Sequence, residues 1–150
     1  MIRHIEKIDS ESWMNLPWKR FRRSLFRLQR RVYKAVRAGD KRKAKSLQKL
    51  ILKSQAARFL AIRQVTQLNN GKKTAGIDGK LALAFKERFE LEGKLRLKTT
   101  NWKHKGLREI PIPKKDGTTR ILKVPTISDR DGERSSPDRP GGLRYALCNA

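Results

Sequence analysis

The chain has 150 residues, room for one domain with loose ends; only 37% are hydrophobic and 35% are charged, so any core is modest and its stability margin thin. Lys and Arg number 38 against 14 Asp and Glu, a formal net charge of +24. Such a field draws in polyanions, which makes nucleic acid the first partner to consider and argues against an ordinary small-substrate enzyme. Cys148 stands alone and the chain has no long apolar run, which excludes a disulfide framework, a cysteine-rich metal site and a transmembrane helix of about 18 residues or more.

Residues 1–18 read as an N-terminal arm that mixes charged and apolar side chains and does not have the form of a secretory leader. The expectation is an intracellular protein, cytoplasmic or organellar and nucleoid-associated, not secreted and not bound to a membrane. From Lys19 the helical period takes over: Phe21, Leu25, Leu28, Val32 and Ala35 recur at intervals of four, three, four and three. Gly39-Asp40 follows, a glycine suited to end one helix and an aspartate suited to cap the next. A second series runs through Ala44, Leu47, Ile51, Ser54, Arg58, Ala61 and Val65, with Leu50, Ala57 and Leu60 widening the stripe. These residues predict a basic αα-hairpin ending near Asn69-Asn70-Gly71.

Gly71 to Gly79 reads as a loop and Ala82 to Leu91 as a short third helix with Phe85 and Phe89 one turn apart. Lys94 to Gly106 is basic and irregular. Leu107–Pro113 and Thr118–Val124, joined by Lys114-Lys115-Asp116-Gly117, predict a β-hairpin whose first strand Pro111 and Pro113 confine to a sheet edge. Residues 131–142 hold no large apolar side chain, so residues 131–150 are expected to be a disordered tail. The fold class expected is α+β.

Between Lys19 and Arg63 seventeen Lys and Arg face a single acid, Asp40. A merely solvated helix face mixes both signs so that neighbours offset one another, and here almost nothing does. Arg22, Arg23, Arg30, Arg31, Lys34, Lys41, Arg42, Lys43 and Arg63 are therefore candidate phosphate contacts. Membrane or calmodulin binding would call for a bulkier aromatic face. Gly71-Lys72-Lys73-Thr74 is no P-loop, since Thr66 and Lys73 hold the positions that require Gly and Ser or Thr. His4 and His104 lack metal-site partners and read as surface residues. Asp78, Asp116 and Asp129 read as isolated turn aspartates. Trp13, Trp18 and Trp102 suit packing more than base stacking.

The run from Val65 to Gly79 resembles the N-terminal extension of group II intron-encoded reverse transcriptases, as does Leu28-Gln29-Arg30-Arg31-Val32-Tyr33-Lys34-Ala35 upstream. Downstream, Ile110-Pro111-Ile112-Pro113-Lys114-Lys115-Asp116-Gly117 and the stretch from Arg120 to Arg130 resemble the first fingers block of that polymerase. The likeness covers about residues 13–130. It implies an RNA-binding helical extension over 19–79 and a partial fingers region over 80–130. In the family the extension binds intron RNA and template-primer, serving splicing and target-primed reverse transcription. By the same likeness Lys72, Lys73 and Thr74 would lie over the template, and Lys114 and Arg120 would meet the triphosphate of the incoming nucleotide. As plain chemistry, those last two are equally exposed hairpin charges.

Two features depart from the family pattern. Ile121-Leu122-Lys123 stands where the family has Pro-Leu-Gly, and after Arg130 the expected apolar helix gives way to Asp131-Gly132-Glu133-Arg134-Ser135-Ser136-Pro137. The break reads as a frameshifted or degenerate frame. Intact family enzymes hold two Mg²⁺ ions on palm carboxylates that include an Asp-Asp pair, and this chain contains no such pair. The expectation is therefore a fragment with no catalytic residues, no metal and no cofactor of its own, to which a palm in another chain is a possible partner.

Overall fold

A computed structural model describes residues 9–68, 73–98 and 103–130, in an α+β arrangement of helices and one antiparallel hairpin. A helical turn over 9–14 leads into α1 (Trp18–Arg37), followed by α2 (Lys41–Lys53), α3 (Gln55–Arg63), a π-helical turn (Gln64–Leu68), α4 (Phe85–Lys98), β1 (Arg108–Pro113) and β2 (Thr119–Val124). Among the described residues no helix is long and apolar enough to cross a membrane. The expected disordered tail lies outside the described residues.

The joint between α1 and α2 follows from two residues. Gly39 takes φ +72°, where a side chain would be strained. The Asp40 amide then bonds the Ala35 carbonyl at 2.9 Å and the Gly39 amide bonds Val36 at 3.0 Å, closing a Schellman turn. The Asp40 carboxylate accepts the Lys43 amide at 2.9 Å and so caps α2. With the chain reversed in so few residues, Leu25, Val32 and Ala35 of α1 meet Ala44, Leu47 and Ile51 of α2 in one buried cluster.

The second helix of the expected hairpin is not continuous. It breaks at Ser54, whose ψ of 125° is extended. The Arg58 guanidinium accounts for the break: Nη1 donates to the Lys53 carbonyl at 2.9 Å, satisfying a helix-end acceptor. Nε meets Glu92 Oε1 of α4 at 2.8 Å, with both side chains largely buried. Arg58 thus lies on the buried stripe as a paired ion. Past Arg63 the chain widens into the π turn, where the buried Thr66 hydroxyl donates to the Ile62 carbonyl at 2.7 Å.

The third helix starts three residues later than expected and ends seven later, at Lys98. Its start is fixed by Glu87, whose carboxylate reaches back to the Ala84 amide at 2.9 Å. It packs through Leu91 and Leu95 on Phe59 and Ile62 of α3 and on Trp13, which is 1% exposed. Trp13 lies edge-on to Trp18, Phe59 and Phe89 at centroid distances of 5.2, 5.8 and 5.5 Å, and Phe21 stacks on Phe59 at 5.7 Å. Trp13 and Trp18 are packing residues, as expected; Trp102 is outside the described residues.

The two strands each begin one residue later than expected and pair Arg108 with Val124 through Pro113 with Thr119. Pro111 and Pro113 are tolerated because a two-stranded ribbon has only edges. Between them, Asp116 Oδ1 accepts both the amide and the hydroxyl of Thr118, at 3.0 and 2.6 Å, which holds its carboxyl below the usual range. Asp116 and Asp78 are turn residues, the latter accepting the Lys80 amide at 3.3 Å.

Asp129 is not an isolated turn aspartate. It is 2% exposed, and it accepts the Thr126 hydroxyl at 2.6 Å and the Lys105 amide at 3.2 Å. His104 Nδ1 lies 3.6 Å from its other oxygen, so this histidine also has a partner. The short helical turn 127–130 is therefore locked to the irregular segment leading into β1. Arg130 then reaches the earlier loop, its Nη2 donating to the Thr74 carbonyl at 2.8 Å, and Arg108 Nη1 donates to Ala75 at 3.4 Å. Gly76 fits under this contact only because it lacks a side chain. A Cβ there would stand 2.7 Å from Thr126 Cα and 2.9 Å from the Pro125 carbonyl oxygen.

Gly76→Ala should lower stability by roughly 1–3 kcal/mol, since the atoms it meets are backbone, whereas Gly93→Ala in open space within α4 should raise it by about 0.5–1 kcal/mol; urea titration of both variants checks the pair. Glu92→Ala should cost roughly 3–5 kcal/mol by leaving the Arg58 charge buried without its partner, and the unfolding midpoint of that variant checks it.

Candidate nucleic-acid interface

The buried stripes of α1 and α2 determine where the cations go. Leu25, Gln29, Val32 and Ala35 turn one side of α1 inward, leaving Arg22, Arg23, Arg30, Arg31 and Lys34 exposed. On α2 the buried Ala44, Leu47 and Ile51 leave Lys41, Arg42 and Lys43 exposed in its first turn. Among the described residues none of these eight cations has a carboxylate within ion-pair distance, the four ion pairs being Arg58–Glu92, Lys80–Glu87, His104–Asp129 and Lys123–Glu109. The first turn of α2 also carries no acid beyond its Asp40 cap, although negative charge is favoured at that end of a helix. Three cations there repel both one another and the helix dipole, and a bound polyanion would relieve both.

Arg63 stands apart from this set. Its guanidinium carbon lies 4.5 Å over the Trp18 ring, its Nε is buried and the side chain is half-buried in the aromatic cluster. Arg88 is a second arginine held by rings, over Trp13 at 5.3 Å and Phe85 at 4.4 Å, and burial pushes its guanidinium below the ordinary value. By charge alone Arg63 belongs with the phosphate contacts. The signal that it packs was its place one turn after Phe59 and Leu60, beside the aromatic positions.

Of the expected loop contacts, Lys73 is exposed, while Thr74 is half-buried and gives its carbonyl to Arg130; Lys72 lies outside the described residues. Lys114 and Arg120 are both exposed at the turn end of the β-hairpin. The Lys114 amide bonds Thr118 across the turn at 2.8 Å, and Arg120 pairs across the ribbon with Ile112. The register puts Ile110, Ile112, Arg120 and Leu122 on one face, where Ile112 and Leu122 remain exposed. The structure thus leaves the α1 and α2 cations exposed on helices that pack against each other, and places the hairpin cations on a different element.

An open cleft of about 640 Å³ lies between α4 and the 127–130 turn. Its lining alternates in sign, with Asp78, Glu87 and Glu90 among Lys80, Lys94 and Lys103, so it offers a polyanion far less than the helical face does. Among the described residues no group of three His, Cys, Asp or Glu is placed to hold a metal ion.

Residues 13–95 match the N-terminal domain of reverse transcriptase. The chain belongs to that family. Among its relatives, Maturase-like protein 1 of Euglena gracilis is 44% identical over 118 residues, covering 79% of this chain and 26% of that protein. Maturase-like protein 1 of Euglena longa is 35% identical over 116 residues, covering 77% of this chain and 25% of its own length. The chain spans about a quarter of the length of the curated relatives it matches.

One ion pair at the rim of the cleft gives a pH signature. The Glu87 carboxyl is held below its usual range, first by the hydrogen bond from Lys80 and then by the Ala84 amide, while Lys80 is raised by the same partner. A depressed carboxyl contributes stability that is complete above its unfolded value and is lost as the pH falls through the folded one. The stability difference between the protein and Glu87→Gln should therefore be present at neutral pH and vanish in acid, as denaturant titrations across that window would show.

Proposed function

We propose that this chain is the RNA-binding N-terminal part of a group II intron reverse transcriptase and maturase. It contacts intron RNA or template-primer through the cations of α1 and α2 and has no polymerase site of its own. The observation that carries the reading is the exposed cationic face, in which eight candidate contacts have no acidic partner among the described residues. Charge of one sign on the outer faces of two antiparallel helices follows a phosphate backbone, and such contacts position a nucleic acid without reading its sequence. The match to the reverse transcriptase N-terminal domain and the maturase-like relatives support the same assignment.

Lys73 and Thr74 serve as template contacts, and Lys114 and Arg120 as cationic donors to a nucleotide triphosphate. The greater length of the relatives favours a second reading, in which this chain is the opening segment of an RNA-directed DNA polymerase. Its palm is then supplied by further sequence or by another chain.

Binding of the purified chain to a group II intron RNA and to an unrelated RNA of equal length, across a salt series, tests the proposal. Preference for the intron RNA that persists at high salt is the expected result. Equal binding that collapses with salt would reduce the chain to a polycation whose affinity is counterion release. Neutralising Lys41, Arg42 and Lys43 together should flatten the salt dependence by about 0.7–0.9 in log–log slope for each phosphate that no longer meets a cation.

A further inference from the structure

The exposed side of α1 is not uniformly basic. Phe26 and Tyr33 stand 55% and 63% exposed on it, although both are ring side chains that would ordinarily be drawn into the aromatic cluster. Their spacing is regular with respect to the arginines. Arg22, Phe26, Arg30, Tyr33 and Arg37 follow one another at intervals of four, four, three and four residues, and all five are exposed. At roughly 100° per residue these positions fall within one narrow stripe, with the two rings roughly 10 Å apart along the axis. Every ring therefore has an arginine one turn to either side.

We infer that this stripe binds unpaired RNA, with Phe26 and Tyr33 stacking on bases while Arg22, Arg30 and Arg37 hold the phosphates around them. This deepens the RNA-binding reading above and rests on it. The occupant follows from the chemistry of the stripe. No acid lies on α1, so a basic or neutral protein surface gains nothing from the three guanidinium groups. Duplex RNA satisfies the arginines but keeps its bases stacked inside, and its narrow major groove does not admit side chains, leaving both rings in water. Unpaired nucleotides present a π-face and a phosphate in alternation, which is the alternation of the stripe. The rings also set this face apart from α2, where Lys41, Arg42 and Lys43 offer charge on a helix that carries no aromatic residue.

The test uses the full chain and two labelled RNAs, a short single strand and a blunt duplex of equal length, titrated at several salt concentrations. Phe26→Ala with Tyr33→Ala should weaken single-strand binding by roughly tenfold for each ring removed. Its salt slope and its affinity for the duplex should stay unchanged. Phe26→Leu with Tyr33→Leu should bind as weakly as the alanine pair, because leucine keeps apolar area but has no π-face. Both side chains are exposed, so circular dichroism and the melting midpoint should not move. The inference is overturned if the alanine pair binds the single strand as the unmodified chain does, if duplex affinity falls equally, or if leucine restores binding, which would mark an apolar contact with protein or lipid. Failure of the unmodified chain to bind either RNA would overturn the RNA-binding reading as well, which distinguishes the two failures.

Discussion

Repulsion among the cations of the first two helices is the constraint against which the fold is built. Seventeen Lys and Arg between Lys19 and Arg63 face one Asp, and like charges one turn apart destabilise a helix. The opposing force is apolar. The Leu25–Ile51 cluster joins α1 to α2, and the aromatic cluster around Trp13 and Phe59 joins the start of α1 and α3 to α4. Two of these arginines are held by partners of their own, Arg58 by the Glu92 carboxylate and Arg63 by the face of Trp18. What remains outside is a surface of one sign, whose cost in repulsion a bound polyanion would relieve.

Local signals carried far in the sequence. Gly39-Asp40 predicted a helix end and a helix start, and both caps form because each depends only on residues within one turn. The β-hairpin was equally legible from its prolines and its Asp-Gly turn. Signals failed where a side chain answers to a distant partner. Ser54 and Arg58 looked like weak points in one amphipathic stripe, and only the contact with Glu92, thirty-four residues on, turns them into a break with a buried ion pair. Asp129 resembled any aspartate in a polar stretch, yet Thr126, His104 and Lys105 enclose it. The candidate surface was visible as charge, and the stripe through Leu25, Val32 and Ala35 already left Phe26 and Tyr33 on the other side of α1, where the structure shows them exposed.

Two stretches that resemble the same family at separate places in the sequence are held together by direct contact. Thr74, Ala75 and Gly76 lie against Pro125, Thr126 and Arg130, through the carbonyls that Arg108 and Arg130 bind and through the space that Gly76 leaves open. Burial lowers the Arg130 guanidinium, and Asp78 partly offsets this. The loop that follows the helical part is thereby tied to the base of the β-hairpin, while the turn bearing Lys114 lies at the hairpin's far end.

Charge and stacking answer different questions about a nucleic acid. The cations of α2 and the arginines of α1 respond to phosphate density, which every RNA offers, and salt weakens them together. Rings placed between arginines respond to whether bases are free, and salt hardly touches that term. A surface with both can hold a folded RNA by its backbone while favouring the places where pairing lapses. The mixed-sign cleft beside α4 lacks both the uniform charge and the exposed rings, so it is a poorer match for the proposed RNA than the outer side of the helical hairpin.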